Sequence, residues 1–556
     1  MSEEKKMFTF LPPAFPGAIE WPGSPLGVSN VITGIKGRTE LNDKDVDGKA
    51  GLLDKLLGSM DKHRAGHKEE EVFEHDVIIH GIRVRAVTNS RHLYDFWVGN
   101  WFSPEEWQKA SGEPAEEVPR VMVYAFGGVA GEAIAAYYSR QHNTIIFFNT
   151  SYYGQLKSWV LGAVGRILAE EYGIHSIHGA CAAMDGKGVL YIAPTGTGKS
   201  TASYGIMGGE NTRFHSDDWV YVRYTYKTRS GLPVSPIAIK SDGQEARGYQ
   251  VYRWLEANGH KHEVKVIARD LAGNQLNLTV GDLDITSPVE AYAYISEKVF
   301  YLRTNIVENF PETVFPLLTS KLENVPDVTP EFLAANRSSL DYLWETIRGR
   351  PEFKAAFGSD SREETEGKLA RLFAFANARA MLDITNVFGP EEVFANPGEP
   401  VRLTTVMLLE RDFEQDQVVN ALSLRQFMAR LLIGETPMHT REIAYNAYRA
   451  VDDGKEMAYI RQLEQELKGR DLNPQLYEIY QARKDVPPTL YQEFELFRVM
   501  HQAASCYELN TILQKDKKVA NKREAVGQTI KLITKILQDK PAELALDINN
   551  YCEFLS

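Results

Sequence analysis

Cysteine is scarce in this chain of 556 residues, which contains only Cys181, Cys506 and Cys552. The three positions are far apart and lack the close spacing of metal-ligand motifs. A disulfide framework and a cysteine-based zinc domain are therefore excluded. Such sparse use of cysteine is typical of proteins that work in a reducing compartment.

Long apolar runs and an excess of positive charge are also missing. No stretch reaches the roughly 18 consecutive apolar residues of a transmembrane helix, and the first six residues lack the apolar segment of a signal peptide. The net charge of −13 argues against nucleic-acid binding. We therefore expect a cytoplasmic protein that binds neither membrane nor nucleic acid.

The most informative stretch is Gly188 to Ser200, which reads GVLYIAPTGTGKS. Its first half is a short apolar run that predicts a buried strand. Its second half is a phosphate-binding loop with alanine in place of the usual first glycine, and residues 201–207 can form the helix that follows. The predicted nucleotide-binding residues are Thr195, Gly196, Thr197, Gly198, Lys199, Ser200 and Thr201.

The chemistry expected of this loop follows from its residue types. The glycines free the backbone to point N–H groups at phosphate oxygens. Lys199 would reach the β- and γ-phosphates, and the Ser200 hydroxyl would face Mg²⁺. ATP with Mg²⁺ is thus the expected ligand.

Two adjacent carboxylates, Asp217 and Asp218, follow the loop within a predicted strand over 212–222. In nucleotide kinases, an acid at a strand end beside the phosphate loop holds Mg²⁺, and a second carboxylate can act as a base. An acidic turn without catalytic function is the alternative.

Periodicity predicts the remaining elements. Helices are expected over 52–60, 90–101, 158–171 and 328–375, and strands over 77–87, 121–126, 144–149 and 401–410, with mostly β structure over 222–300. From Ser423 onward the pattern predicts almost only helix. His63 and His67 lie four residues apart, which we interpret as one face of a solvated helix rather than a metal site.

Several of these stretches together resemble the ATP-dependent phosphoenolpyruvate carboxykinases. The segment YYGQLKS over 152–158 is similar to their Tyr-x-Gly-Glu-Met-Lys-Lys motif, and His178-Gly-Ala resembles their metal-binding histidine motif. The phosphate loop and Ser216-Asp217-Asp218 resemble the two motifs that follow in that family. The HPr kinase branch of the same superfamily shares the histidine, the loop and the acidic pair, and the intervals between these motifs do not decide between the branches.

The resemblance implies roles for individual residues. His178, Ser200, Asp217 and Asp218 would bind Mg²⁺ and a second divalent ion, Mn²⁺. Lys199, Asp217, Arg379 and His178 would be catalytic: Lys199 neutralises the transferring phosphoryl group, and Arg379 bridges it to the acceptor. The substrate carboxylates would contact Arg38, Tyr152, Lys157 and Arg303, the last of which replaces a family lysine.

Simpler interpretations remain open for some of these residues. His178 could be a buried, hydrogen-bonded histidine, Tyr152 could belong to the core, and Arg38 and Arg379 could be surface residues. The sequence also departs from the carboxykinase pattern, because Ser158 stands at the position of the metal-binding lysine. The loop around Arg38 lacks the family continuation, and no late adenine-contacting segment is found.

The expected architecture is an α/β fold of the phosphoenolpyruvate carboxykinase kind. We predict an N-terminal α/β domain over 1–172, a phosphate-loop domain of mixed sheet over 173–439 with insertions near 222–295 and 328–375, and a helical C-terminal region over 440–556. The lead hypothesis is an ATP-dependent conversion of oxaloacetate to phosphoenolpyruvate. The alternatives are a kinase that phosphorylates a hydroxyl of a small molecule or protein, and a nucleotide-binding regulator that binds a protein partner through its helical region.

Overall fold

A computed structural model describes residues 39–150, 152–193, 197–298, 328–374, 389–433, 485–520 and 522–556. It also describes short pieces at 28–29, 300–304, 314–318 and 378–382, and residues 307, 311, 458–459, 462 and 465–466. Helices and sheets are mixed along these residues, which confirms the predicted α/β class. Within the same residues, no helix combines the length and apolar character needed to cross a bilayer.

The structure contains two smaller sheets besides the main one. A three-stranded sheet joins β1 (Val28–Ser29) to β18 (Phe300–Thr304) and β19 (Ala378–Leu382). A six-stranded sheet has the order β2-β6-β7-β5-β4-β3. Its strands are β2 (Leu41–Asp43), β3 (Phe73–Ile79), β4 (Ile82–Thr88), β5 (Val121–Phe126), β6 (Ala135–Ser139) and β7 (Thr144–Phe148).

The side chains of β4 alternate between the core and the opposite face of the six-stranded sheet. Ile82 and Val84 point into the core, whereas Arg83 and Arg85 point to the other face and both contact Asp76 on β3. The predicted strand region over 77–87 is therefore confirmed, with a tight turn between its two strands.

Four helices accompany this sheet: α1 (Leu52–Gly66), α2 (Arg91–Asn100), α3 (Pro104–Ser111) and α4 (Tyr153–Ile167). Helix α4 confirms the helix predicted from the apolar spacing over 158–171, and it continues as a π-turn over Leu168–Tyr172. Its apolar side chains share one core with strands of the six-stranded sheet and with Trp219 and Tyr221 of the main sheet. This packing fixes the helix between the two sheets.

The main sheet contains fourteen strands among the described residues. Ten of them follow the order β15-β14-β12-β11-β8-β9-β20-β22-β21-β23, and β10, β13, β16 and β17 pair beside this path. The strands are β8 (Ile174–Met184), β9 (Lys187–Ile192), β10 (Thr212–Ser216), β11 (Trp219–Thr228), β12 (Pro233–Ser241), β13 (Gln244–Arg247), β14 (Lys265–Asp270), β15 (Gln275–Thr279), β16 (Leu283–Asp284), β17 (Glu290–Ile295), β20 (Val401–Glu410), β21 (Gln417–Ala421), β22 (Ser505–Asn510) and β23 (Ala545–Asp547).

Helices cover both faces of the main sheet. Helix α5 (Lys199–Ile206) contributes to the core on one face, and α6 (Tyr249–Asn258) contributes to the core on the other. The region over 328–374 is helical as predicted. The further helices are Val314–Leu318, Pro330–Ala335, Arg337–Ile347, Pro351–Phe357, Arg362–Ala374, Leu424–Ile433, Pro488–Ala503, Lys522–Asp539 and Tyr551–Leu555.

The described part of the region over 440–556, for which only helix was predicted, contains three α-helices and also two strands. Strand β22 pairs in parallel with β20, and β23 pairs with β21, so both lie inside the main sheet. The buried Tyr507 and Leu509 of β22 belong to the same core as α5. Only a pairing with β20, about a hundred residues away in sequence, makes this short segment a strand, and local periodicity favoured the helices around it.

Gly179 on β8 is required by close packing. A Cβ atom at this position would lie 2.7 Å from the carbonyl oxygen of Tyr191 on β9. We expect Gly179→Ala to lower the free energy of unfolding by about 2 kcal/mol, because a backbone atom must move. Chemical denaturation measures this change.

Gly58→Ala on helix α1 is the matched control, because nothing lies within 4 Å of a Cβ atom there. This variant should gain about 0.5–1 kcal/mol of stability from the better helix propensity of alanine. Equal effects of the two substitutions would contradict the packing that the structure assigns to Gly179.

Candidate active site

The predicted phosphate loop lies between β9 and α5. The expected order of strand, loop and helix is confirmed in the described residues, since β9 ends at Ile192 and α5 begins at Lys199. Gly198 has a φ of 110°, in a region that side chains rarely adopt, which explains glycine at this position. The predicted loop residues Pro194, Thr195 and Gly196 lie outside the described residues, as does the side chain of Ser200. Thr197 is buried, and Thr201 is half-buried in the first turn of α5.

The acidic pair lies in a short break between two strands that share a neighbour. Strands β10 and β11 both pair with β8, and Asp217 and Asp218 connect them. Asp218 has a φ of 70°, which aspartate tolerates better than most residues. The N–H of Gly179 donates to Asp218 O over 3.0 Å, which fixes the break against β8. This arrangement places the Asp218 carboxylate beside His178.

Four of the predicted site residues meet in a chain of polar contacts. Lys199 Nζ lies 3.2 Å from His178 Nε2, which lies 3.3 Å from Asp218 Oδ1. Lys157 Nζ, on α4, donates to Asp218 Oδ2 over 2.9 Å. Because these residues come from α5, β8, the β10–β11 connection and α4, only the folded chain brings them together.

The His178 ring lies between the ammonium of Lys199 and the carboxylate of Asp218. Its Nε2 atom can accept a hydrogen bond from Lys199 or donate one to Asp218, but it cannot do both at once. The ring lies 4.9 Å from that of Trp219, measured between ring centroids, so its position is set by packing as well as by polar contacts. His178 is partly exposed, with 14% of its side chain accessible, and contacts two other predicted site residues.

Asp218 is held in its charged form. Burial alone would raise the pKa of its carboxyl, but Lys157 and His178 outweigh burial and hold the pKa well below its usual value. Asp217 is buried next to it and lies close enough to Tyr204 of α5 to raise the pKa of that phenol further, beyond the larger effect of burial. A charged carboxylate at neutral pH is what cation binding requires.

Lys157 is buried, with 1% of its side chain exposed, and lies between two carboxylates. Besides Asp218, its Nζ atom lies 2.9 Å from Glu297 Oε1. Burial opposes the charge of the ammonium, but the two carboxylates outweigh it and raise the pKa of Lys157. The ammonium therefore stays charged at neutral pH and joins α4 to the main sheet.

Glu297 is a site residue that the sequence did not reveal. Glu297 follows β17, in which Ile295 pairs with Val220 of β11. Because the two strands are antiparallel, continuing this register by two residues places Glu297 opposite Asp218. Burial raises the pKa of its carboxyl to about 7, and the nearby Lys157 only partly opposes this effect. Finding Glu297 requires the pairing of β11 with β17, for which a single sequence carries no signal.

The raised pKa of Glu297 predicts a pH-dependent stability. A carboxyl whose pKa rises from 4.5 to about 7 on folding stabilises the protein at low pH, and this contribution is lost as the pH rises through 7. Glu297→Gln mimics the protonated form. Its free energy of unfolding relative to wild type should therefore rise by roughly 2–3 kcal/mol between about pH 5 and pH 8.

Denaturation at several pH values measures this difference. The exposed Glu117 offers a matched control, since Glu117→Gln should show a difference that is flat across the same range. A flat profile for Glu297→Gln as well, or one that falls with pH, would contradict the burial of Glu297 beside Asp218.

The other predicted substrate residues are placed only in part. Tyr152 is half-buried and precedes α4 as its N-cap residue. Arg303 and Arg379 face each other in the register of β18 and β19, although their side chains lie outside the described residues, and so does Arg38 altogether. Ser158, at the metal-lysine position, donates its hydroxyl to Gly154 O over 2.9 Å.

The donor set suits a divalent cation that takes most of its ligands from elsewhere. His178 Nε2 and Asp218 Oδ1 face each other across 3.3 Å, while Lys157 occupies the second Asp218 oxygen. Within the described residues, no three His, Cys, Asp or Glu side chains are grouped to hold a metal ion. Mg²⁺ typically uses one or two carboxylates together with water and substrate phosphates, so a cation bound here would take most of its ligands from outside the protein.

In comparisons with known proteins, no family model and no curated protein matches this chain. A fold class alone does not determine function, because unrelated activities share the same folds. Function is therefore inferred from the chemistry of the site.

Proposed function

We propose that the protein is an ATP-dependent phosphotransferase that resembles phosphoenolpyruvate carboxykinase. In the proposed reaction, oxaloacetate and ATP give phosphoenolpyruvate, CO₂ and ADP. The observation that carries the proposal is the contact chain from Lys199 through His178 to Asp218. These contacts connect the lysine of the phosphate loop to a histidine and an aspartate, two residue types that bind cations. Phosphoryl transfer needs a phosphate-binding loop and a bound cation close together.

Each residue of the contact chain has a role that fits its chemistry. Lys199 would stabilise negative charge on the transferring phosphoryl group. His178 and Asp218 would hold a divalent ion, which when bound supplies further charge neutralisation at the phosphate oxygens. Lys157, fixed between Asp218 and Glu297, keeps the Asp218 carboxylate charged and aimed at His178.

Residues outside the contact chain would bind the acceptor. Arg379 and Arg303, paired in backbone register, would contact carboxylate or phosphate oxygens together with Arg38 and Tyr152. In this reaction the bond to the leaving CO₂ breaks, and its electrons form the enolate. The enolate oxygen then attacks the γ-phosphorus and ADP leaves.

A second candidate is a kinase that phosphorylates a hydroxyl group. The presence of Ser158 at the position of the metal-binding lysine favours it. Serine carries no charge, and its hydroxyl donates to Gly154 O in its own helix, so this position would supply no cationic side chain to a bound metal ion. In such a kinase the acceptor oxygen attacks the γ-phosphorus, ADP leaves, and Asp217 takes the hydroxyl proton. Asp217 is buried and adjoins Asp218 in the chain, and its carboxylate would serve as this base.

One assay separates the candidates. ADP release from Mg²⁺-ATP, with Mn²⁺ added, is measured with and without oxaloacetate, and phosphoenolpyruvate is quantified alongside. Equal amounts of oxaloacetate-dependent ADP and phosphoenolpyruvate support the carboxykinase. ADP release that ignores oxaloacetate supports the kinase, and no release under any condition contradicts both and favours a nucleotide-binding regulator.

A further inference from the structure

The carboxyl ends of three parallel strands meet beside the phosphate loop. Strand β20 pairs in parallel with β9 on one side and with β22 on the other. The loop follows β9, Arg411 follows β20, and Thr511 follows β22. In sheets of this kind, ligands bind where neighbouring strands end.

Arg411 lies against the end of the phosphate loop. A Cβ atom built on Gly198, the residue before Lys199, would lie 3.8 Å from Arg411 Nη2. Arg411 Nε donates to Thr511 Oγ1 over 3.1 Å. The Thr511 hydroxyl lies 3.3 Å from Thr197 O and 3.1 Å from Glu410 O, so it connects the arginine to the loop.

The described residues do not match the charge of this arginine. Among them, Arg411 forms no ion pair with a carboxylate, and its terminal nitrogens form no hydrogen bond. Burial lowers the pKa of its guanidinium, and no neighbouring acid offsets that burial. A half-buried guanidinium that lies beside Gly198 without a counter-charge among the described residues is an arrangement that an anion would stabilise.

We propose that Arg411 binds a phosphate oxygen of the nucleotide and that Thr511 positions it. This inference rests on the proposed phosphotransferase function, because it takes the anion to be the polyphosphate of ATP. It makes the C-terminal strand β22 part of the nucleotide site. The guanidinium can donate two parallel hydrogen bonds to phosphate, which a lysine cannot do.

Calorimetric titration of the full chain with Mg²⁺-ATP and with inorganic tripolyphosphate tests the proposal. Arg411→Ala should weaken both ligands by about tenfold or more. Arg411→Gln, which keeps much of the side-chain length without the charge, guards against a variant that fails to fold and should weaken binding similarly. Arg402→Ala is the matched control, since Arg402 lies at the other end of β20 and pairs with Glu290 on the surface.

Two variants that remove or keep the hydroxyl test the positioning role of Thr511. Thr511→Val keeps the shape but removes the acceptor for Arg411, and it should weaken ATP binding in the same direction as Arg411→Ala. Thr511→Ser restores the hydroxyl and should bind ATP within about twofold of wild type. Weak ATP binding in Thr511→Ser as well, or ATP binding by Thr511→Val equal to wild type, would overturn the positioning role of the hydroxyl.

The outcomes distinguish the inference from the proposed function. Loss of binding in Lys199→Ala but not in Arg411→Ala overturns the role of Arg411 and leaves the phosphotransferase standing. Loss in Arg411→Ala but not in Lys199→Ala supports an anion site at Arg411 and overturns the loop chemistry. Absence of binding of either ligand by the wild-type protein overturns both.

Discussion

Replacing Lys199 with alanine is expected to lower kcat/KM for ATP by on the order of a thousandfold. Lys199 begins α5 at the end of the phosphate loop, and its ammonium contacts His178 Nε2 and the carbonyl of Ala193. Removing the charge leaves the transferring phosphoryl group without its nearest cation and breaks the contact chain to Asp218. ADP formation over a range of ATP concentrations gives kcat and KM separately.

Lys187→Ala is the control for this prediction. Lys187 is an exposed lysine that begins β9, the strand that leads into the loop. Its removal should leave turnover unchanged within about twofold, because exposed surface charges contribute little. Equal turnover in wild type and Lys199→Ala would show that the loop does not contact the reacting phosphate.

Replacing Lys157 with methionine is expected to lower the free energy of unfolding by about 3–5 kcal/mol. Methionine keeps the volume of the side chain but leaves the buried Glu297 and the partly exposed Asp218 without their shared counter-charge. Activity should fall as well, because Asp218 would lose the partner that fixes its orientation. Denaturant unfolding and ADP formation report the two effects on the same samples.

Two further variants show whether the loss comes from the ion pairs. Lys227→Met removes a lysine that is 43% exposed and pairs with Glu290, and it should cost under about 1 kcal/mol. Adding Glu297→Gln to Lys157→Met removes one of the unpaired charges and should recover part of the lost stability. No recovery in the double variant would indicate that Lys157 acts through packing alone.

Much of the fold was predictable because its elements are locally encoded. Strand β20 has the same bounds as the strand predicted over 401–410, and α4 follows the apolar spacing of its buried face. The C-terminal strand β22 was not predictable, because it is a strand only through its pairing with β20. Long-range pairing of this kind leaves no periodic signal in a short segment.

Some residues of the candidate site were likewise predictable from the sequence, and others were not. His178, Lys199 and Asp218 belong to motifs whose residue types carry their chemistry, and the structure brings them together. Glu297 and Arg411 belong to no motif. Each enters the site only because its strand lies beside another in the sheet, β17 beside β11 and β20 beside β9.

The most direct test of the account is hydrogen exchange of the wild-type chain with and without Mg²⁺-ATP. If the loop binds the phosphates, peptides that cover residues 193–207 should exchange their backbone amides more slowly with ATP, because phosphate oxygens accept from those N–H groups. Peptides around Arg411 and Thr511 should be protected with them. Unchanged exchange over 193–207 at a saturating ATP concentration would contradict the assignment of this loop as a nucleotide site. Unchanged exchange of every peptide at millimolar ATP would contradict it as well.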